Sequence, residues 1–187
     1  LPCSSGLTPI SADATNGGNI PNPMRLAGIH QLHYLPWLRY FEKIARSDIF
    51  IVLDDIQFNK NGWQNRNKIR TPEGATVLTV PVLQRFAQRL DEVQIDPRPP
   101  WRRKHLRSIE QHSAAAPYFE DHIPFLRDVY NRDWDRLNEL NRVMLAYFVD
   151  AMAIDTPILY SSELAVPGAA TERLVNLVRA AECDAYY

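Results

Sequence analysis

The stretch that decides the fold is RLAGIHQLHYLPWLRYFEKIARSDIFIVLDD, residues 25–55. Its centre is IFIVL at 49–53, five consecutive apolar residues rich in β-branched side chains. Such a run fits a strand buried on both faces of a parallel sheet. Upstream, RLAGIH at 25–30 suits a second short buried strand. PWLRYFEKIAR at 36–46 reads as a helix, with Pro36 in its first turn, where a missing N–H costs nothing. Helical spacing points Leu38, Phe41 and Ile44 or Ala45 inward. Strand, helix and strand within about 30 residues make a βαβ unit with parallel strands and a right-handed crossover.

Working outward, ATVLTVPV at 75–82 predicts a further strand ending near an edge or bend at Pro81. DEVQID at 91–96 fits a short returning strand. The pattern then turns helical, with helices expected at 101–112, 118–131 and 134–153. A short strand follows at 157–160, then a loop at 161–170, a helix at 171–182 and the start of a strand at 183–187. The expected class is α/β, a mostly parallel sheet flanked by helices, with a helical C-terminal half.

Residues 1–23 carry one charge, Asp13, and no periodicity, and they read as a disordered tail or upstream read-through. Met24 then starts a single domain over 24–187. The strand beginning at the far end makes that domain look incomplete at its C-terminus. The balance of 21 Lys+Arg against 22 Asp+Glu gives a net charge of −1, which supplies no reason for bulk binding to nucleic acid. No apolar run reaches the roughly 18 residues of a membrane span. Two cysteines, Cys3 and Cys183, cannot build a disulfide scaffold or a four-cysteine zinc site, and a cytosolic compartment fits. There is no Gly-rich phosphate loop, no zinc-protease helix and no nucleophile elbow.

Four constellations carry candidate chemistry. His30-Gln31-Leu32-His33 follows the first strand, at the edge where open parallel sheets bind ligands. The following helix start favours an anion there. The alternative is that the imidazoles only bond a neighbouring loop. Asp54-Asp55 follows the second strand. These carboxylates are candidates for a general base, a metal ligand or an orienting partner of an imidazole, or else for capping and salt bridges to downstream arginines. The segment NKNGWQNRNKIR at 59–70 has four cations and no acid; Lys60, Trp63, Asn65, Arg66 and Asn67 could grip a small anionic ligand, or form a solvated loop. RPPWRRKHLR at 98–107 carries five positive charges, with Arg102, Arg103 and Lys104 at a helix start. That placement opposes the helix dipole and points to an anionic partner or to acidic neighbours such as Asp54 or Asp55, solvated charge being the commoner explanation of such a run. Ser161, Ser162 and Glu163 also reach the sheet's carboxyl edge.

Several of these runs resemble the WbqC-like proteins, bacterial proteins often encoded in surface-polysaccharide clusters. They are IHQ, YLPWL, YF and KIA within 29–45, FIVLDDIQF at 50–58, WQNRNKI at 63–69, LTVPV at 78–82, PWRRKH at 100–105, APYFED at 116–121, SSEL at 161–164 and TERL at 171–174. The family usually has Pro where this chain has Leu32, and Gly where it has Arg39. It also continues past Tyr187 with a Gly-rich loop and more strands.

The resemblance implies a transferase of glycine onto an amino sugar in surface-polysaccharide (O-antigen) biosynthesis, with a small-molecule or nucleotide-sugar substrate. His30 is then the general base, oriented by Asp54 or Asp55, and the basic segments hold phosphates. Gln31, His33 and Tyr34 join the substrate site. No residue is assigned to a metal. Two other readings stay open. One is acid activation by ATP, with His30 and His33 at its phosphates. The other is a non-catalytic binding module.

Overall fold

The structure, a computed structural model, describes residues 23–187; the expected tail lies almost wholly outside the described residues. Its element order is β1 (Leu26–Gln31), α1 (Leu38–Ala45), β2 (Ile49–Leu53), β3 (Arg66–Thr71), β4 (Gly74–Thr79), β5 (Val82–Leu83), β6 (Gln94–Ile95), α2 (Trp101–Ser113), α3 (Phe119–Asn131), α4 (Leu137–Ala151), β7 (Ile158–Tyr160), α5 (Ser161–Leu164), α6 (Ala170–Ala180) and β8 (Ala185–Tyr186). A parallel four-stranded sheet in the order β7-β2-β1-β8 forms the centre. The expected α/β class and the βαβ unit are both present.

The alternation of β2 explains why its whole length is apolar. Ile49 and Ile51 join Ala27 and Ile29 of β1 in a cluster with Leu177, Val178 and Ala181. Phe50 and Val52 point the other way, into a larger cluster with Tyr40, Phe41 and Ile44 of α1 and Leu140, Met144 and Leu145 of α4. Helices therefore cover both faces, and each fully buried large side chain is worth about 1.5–3 kcal/mol over exposure. Gly28 lets α1 and its loop settle on the sheet: a Cβ there would overlap Ser47 Oγ and come within 2.6 Å of Phe50 Cδ2.

Several local expectations are corrected. The helix begins at Leu38 after Trp37, so Pro36 precedes the helix. Leu38 is 75% exposed, and Tyr40 takes the inward position. Ala45 is exposed as well, leaving Ile44 as the inward residue. The segment 59–70 is not all loop: from Arg66 to Thr71 it is β3, paired antiparallel with β4. The 91–96 return is reduced to a two-residue ladder between β5 and β6, and the loop after β7 begins with the single turn α5. No helix among the described residues is long and apolar enough to cross a membrane.

Candidate functional site

The connections leaving the sheet set where chemistry can sit. The chain leaving β1 enters α1, and the chain leaving β2 leads to the β3–β4 hairpin and α4, all contributing to the larger cluster. The chain leaving β7 enters α5 and α6 on the opposite face. Adjacent strands β2 and β7 thus diverge at their carboxyl ends, the place where open α/β sheets form a crevice. Asp54 and Asp55 reach it from β2, and Ser161 and Ser162 from β7.

Asp54 is completely buried. Its carboxylate accepts from Ser162 N (3.0 Å), Ser162 Oγ (2.9 Å), Arg142 Nη2 (2.6 Å) and Asn138 Nδ2 (3.2 Å). Burial pushes this carboxyl up, but those hydrogen bonds outweigh it and hold it below the usual carboxylate range. Ser161 has one hydroxyl proton, and its short 2.5 Å contact assigns that proton to Asp55 Oδ1. Its oxygen accepts from Asp54 N. Asp55 is also paired with Arg173, with Arg89 at 3.9 Å, and is held low despite its burial. Arg142 continues the network: it stacks 3.5 Å from the Tyr160 ring and donates to Glu163 Oε1 at 2.8 Å.

The histidines lie elsewhere on the same edge. His30 leaves β1 on the α1 face and packs against His33 (4.8 Å between ring centroids), Tyr40 (4.9 Å) and Trp37 (5.6 Å). Neither carboxylate is hydrogen-bonded to either imidazole; both are engaged by arginines and serines. His30 Nδ1 faces Gln31 O at 3.2 Å. A carbonyl only accepts, so Nδ1 carries the proton and Nε2 keeps its lone pair. Tyr40 Oη donates to the same carbonyl at 3.0 Å. Burial, aided by the nearby Lys43 charge, keeps the His30 pKa below its ordinary value. His33 is more deeply buried, its Nδ1 has no partner among the described residues, and burial together with His30 pushes it to about 3. It is uncharged at neutral pH and has no charge to offer a phosphate.

His30 lines a cleft of about 660 Å³ together with Trp37, Arg39, Tyr40, Lys43 and Tyr187. Trp37 and Tyr187 are substantially exposed at this cleft.

The remaining sequence candidates are dispersed. Tyr34 is fully buried, hydrogen-bonded to Tyr130 and to His105 Nδ1 (2.9 Å), so its hydroxyl is part of the core. Asn65 Nδ2 donates to Val80 O (2.8 Å). Asn67 donates to the carbonyls of Tyr34 and Leu35, holding the turn where Leu35 takes φ 45°. Gln64 Nε2 donates weakly to Gln31 Oε1 (3.4 Å), while Trp63 O accepts from Tyr34 N (3.1 Å). Arg66 is paired with Asn61, and Lys60 is exposed. Arg102 is paired with Asp133, whereas Arg103 and Lys104 are exposed on α2.

Sequence reasoning missed Asn138, Arg142, Arg173 and Lys43, and marked Arg39 only as a departure from the family pattern. A signal existed for the first two: polar residues at inward helical positions among Leu137, Leu140 and Leu145. No group of three or more His, Cys, Asp or Glu among the described residues is arranged to hold a metal. Cys183 is a buried free thiol packed beneath α6.

The sequence pattern of the WbqC-like protein family matches residues 31–187. The chain is 36% identical over 166 residues to the uncharacterized protein Rv1507c of Mycobacterium tuberculosis (strain ATCC 25618 / H37Rv), covering 87% of this chain and 71% of that one. No solved structure matches it significantly. With the family pattern spanning β2, β7 and β8 of the sheet and every helix, the chain belongs to the WbqC-like protein family.

Proposed function

We propose that this protein is a cytosolic transferase that attaches an aminoacyl group, glycine on the family resemblance, to the amino group of a sugar destined for surface polysaccharide. One observation supports this most: His30 presents an uncharged imidazole, with its proton on Nδ1 and Nε2 free, inside an aromatic-walled cleft. An acyl transfer to an amine needs such a base, because the attacking nitrogen must shed a proton as it bonds to the carbonyl carbon. In the step proposed, the sugar nitrogen attacks the activated carboxyl carbon and His30 Nε2 takes its proton. The C–N bond forms, the bond from carbon to the leaving group breaks, and the leaving group departs with the electron pair. The proton then passes from His30 to that group or to water. Gln31 O, steadied by Tyr40, orients the ring in the role first expected of Asp54 or Asp55.

The test is transfer of labelled glycine to nucleotide-linked amino sugars, in the presence of ATP, by the wild type and His30→Ala. Loss of general-base catalysis lowers kcat by about 10²–10⁴-fold. Unchanged turnover in a folded His30→Ala protein overturns the assignment.

A further inference from the structure

Of the cations expected to hold phosphates, Arg66 and Arg102 are occupied by Asn61 and Asp133, and the exposed Lys60, Arg103 and Lys104 do not line the cleft beside His30. The cleft beside His30 has its own. Arg39 and Lys43 stand one helical turn apart on α1, and both line the cleft. Like charges at that spacing repel each other. Neither has a carboxylate partner among the described residues, and the one acid lining the cleft, Glu42, is paired with Arg46 at 2.9 Å. Lys43 Nζ uses one hydrogen on Ile29 O (2.8 Å), leaving two for another acceptor. Its ammonium lies 5.3 Å from the Tyr187 ring, and it is partly desolvated, which lowers its pKa. Two uncompensated cations, one of them half-buried, on the wall of a cleft are an arrangement that an anionic ligand would complete.

We propose that Arg39 and Lys43 form an anion site in the His30 cleft, where the ligand presents a carboxylate or a phosphate while its ring or chain lies between Trp37 and Tyr187. This deepens the transferase reading and rests on its assignment of the His30 cleft as the ligand site. Arg39 supplies planar, two-pronged donors and Lys43 a compact point charge, so a tetrahedral or planar oxyanion fits and a neutral group does not.

The experiment follows the His30 ring resonances of the full chain by NMR while inorganic phosphate, acetate or chloride is added at matched ionic strength. An anion seated on Lys43 raises the His30 pKa, because a neighbouring negative charge favours the imidazolium. Arg39→Ala and Lys43→Gln each weaken binding by about 10-fold, the loss of one charge-assisted contact. A response to phosphate alone identifies a phosphorylated ligand, and one to acetate alone a carboxylic acid. The site is overturned if neither anion moves His30 more than chloride does, or if both variants bind like the wild type. Arg39 is exposed, so its replacement leaves the fold intact even where Lys43→Gln does not. Anion binding in a protein whose turnover survives His30→Ala would refute the transferase reading and leave this site standing; unaltered anion binding in both variants does the reverse.

Discussion

Asp54→Ala separates a carboxylate that holds the sheet edge together from one that reaches a substrate. The side chain is wholly buried and accepts four hydrogen bonds, from Ser162 N, Ser162 Oγ, Asn138 and Arg142. Removing it leaves the Ser162 amide and the Asn138 amide without their acceptor. Breaking a buried ion pair costs about 3–5 kcal/mol. Arg142 keeps Glu163 at 2.8 Å and the Tyr160 ring at 3.5 Å, which places the loss at the lower end, about 3 kcal/mol. For a chain of this size that is about 6–12 °C in Tm, a large part of a total stability of about 5–15 kcal/mol. Urea unfolding of Asp54→Ala, Arg142→Ala and the double variant measures it directly. The two losses should overlap, leaving a coupling energy of about 1–3 kcal/mol in the cycle. A loss below about 1 kcal/mol, or additivity within about 0.5 kcal/mol, refutes the structural reading. A carboxylate retained for catalysis would behave in the opposite way, with stability kept or raised and turnover lost.

Two further outcomes follow from burial. His33 and His105 titrate at about 3 and about 4 because burial disfavours their charged forms, against 6.5 in the unfolded chain. The unfolded state therefore binds more protons between those values. Each histidine contributes stability that is fully present above pH 6.5 and is lost as pH falls towards its folded value; for His105 this reaches about 3 kcal/mol. Urea midpoints should fall steadily from about pH 7 to about pH 4, before the lowered carboxyls Asp54 and Asp55 add their own loss at lower pH; a flat profile refutes the assignment. Gly28→Ala inserts a methyl group against Ser47 and Phe50, and overpacking of this kind costs about 1–3 kcal/mol in thermal unfolding. A neutral or stabilising result would mean that α1 can withdraw from the sheet.

The sequence exposed those parts of the fold whose physics is local. IFIVL could only be a doubly covered strand, and its residues divide between the α1 and α6 faces. The inward face of α1 was less legible. Tyr40, Phe41 and Ile44 define its buried arc, and Leu38 lies about 110° from the arc's centre at 100° per residue. Periodicity counted every apolar residue and could not see that Leu38 sits on the far side. β3 was hidden because RNKIRT looks like a solvated loop. Its clues were the alternation of Asn67, Ile69 and Thr71 with Lys68 and Arg70, and the Thr71-Pro72-Glu73-Gly74 turn that folds it onto β4.

The candidate site shows the same boundary between local and non-local information. The rule that ligands gather at the carboxyl edge placed His30, Asp54 and Ser161 at the ends of neighbouring strands, which is where they stand. Strand adjacency also brought Asp54 close to His30 in register, since Gln31 pairs with Leu53. Adjacency does not decide which neighbour a side chain addresses. β2 lies between β1 and β7, and its terminal carboxylates turn to β7, where two serines and two arginines donate to them. The serines were within reach of a sequence argument, but Arg142 and Arg173 come from helices packed on opposite faces of the sheet. Their convergence depends on the strand order, which no short stretch of sequence contains. The same order leaves His30 facing α1 with no carboxylate hydrogen-bonded to it, so its ring is oriented by a backbone carbonyl and the Lys43 charge disfavours its protonated form. A base in that setting stays unprotonated at neutral pH, whereas a carboxylate-paired imidazole would be driven toward its charged form.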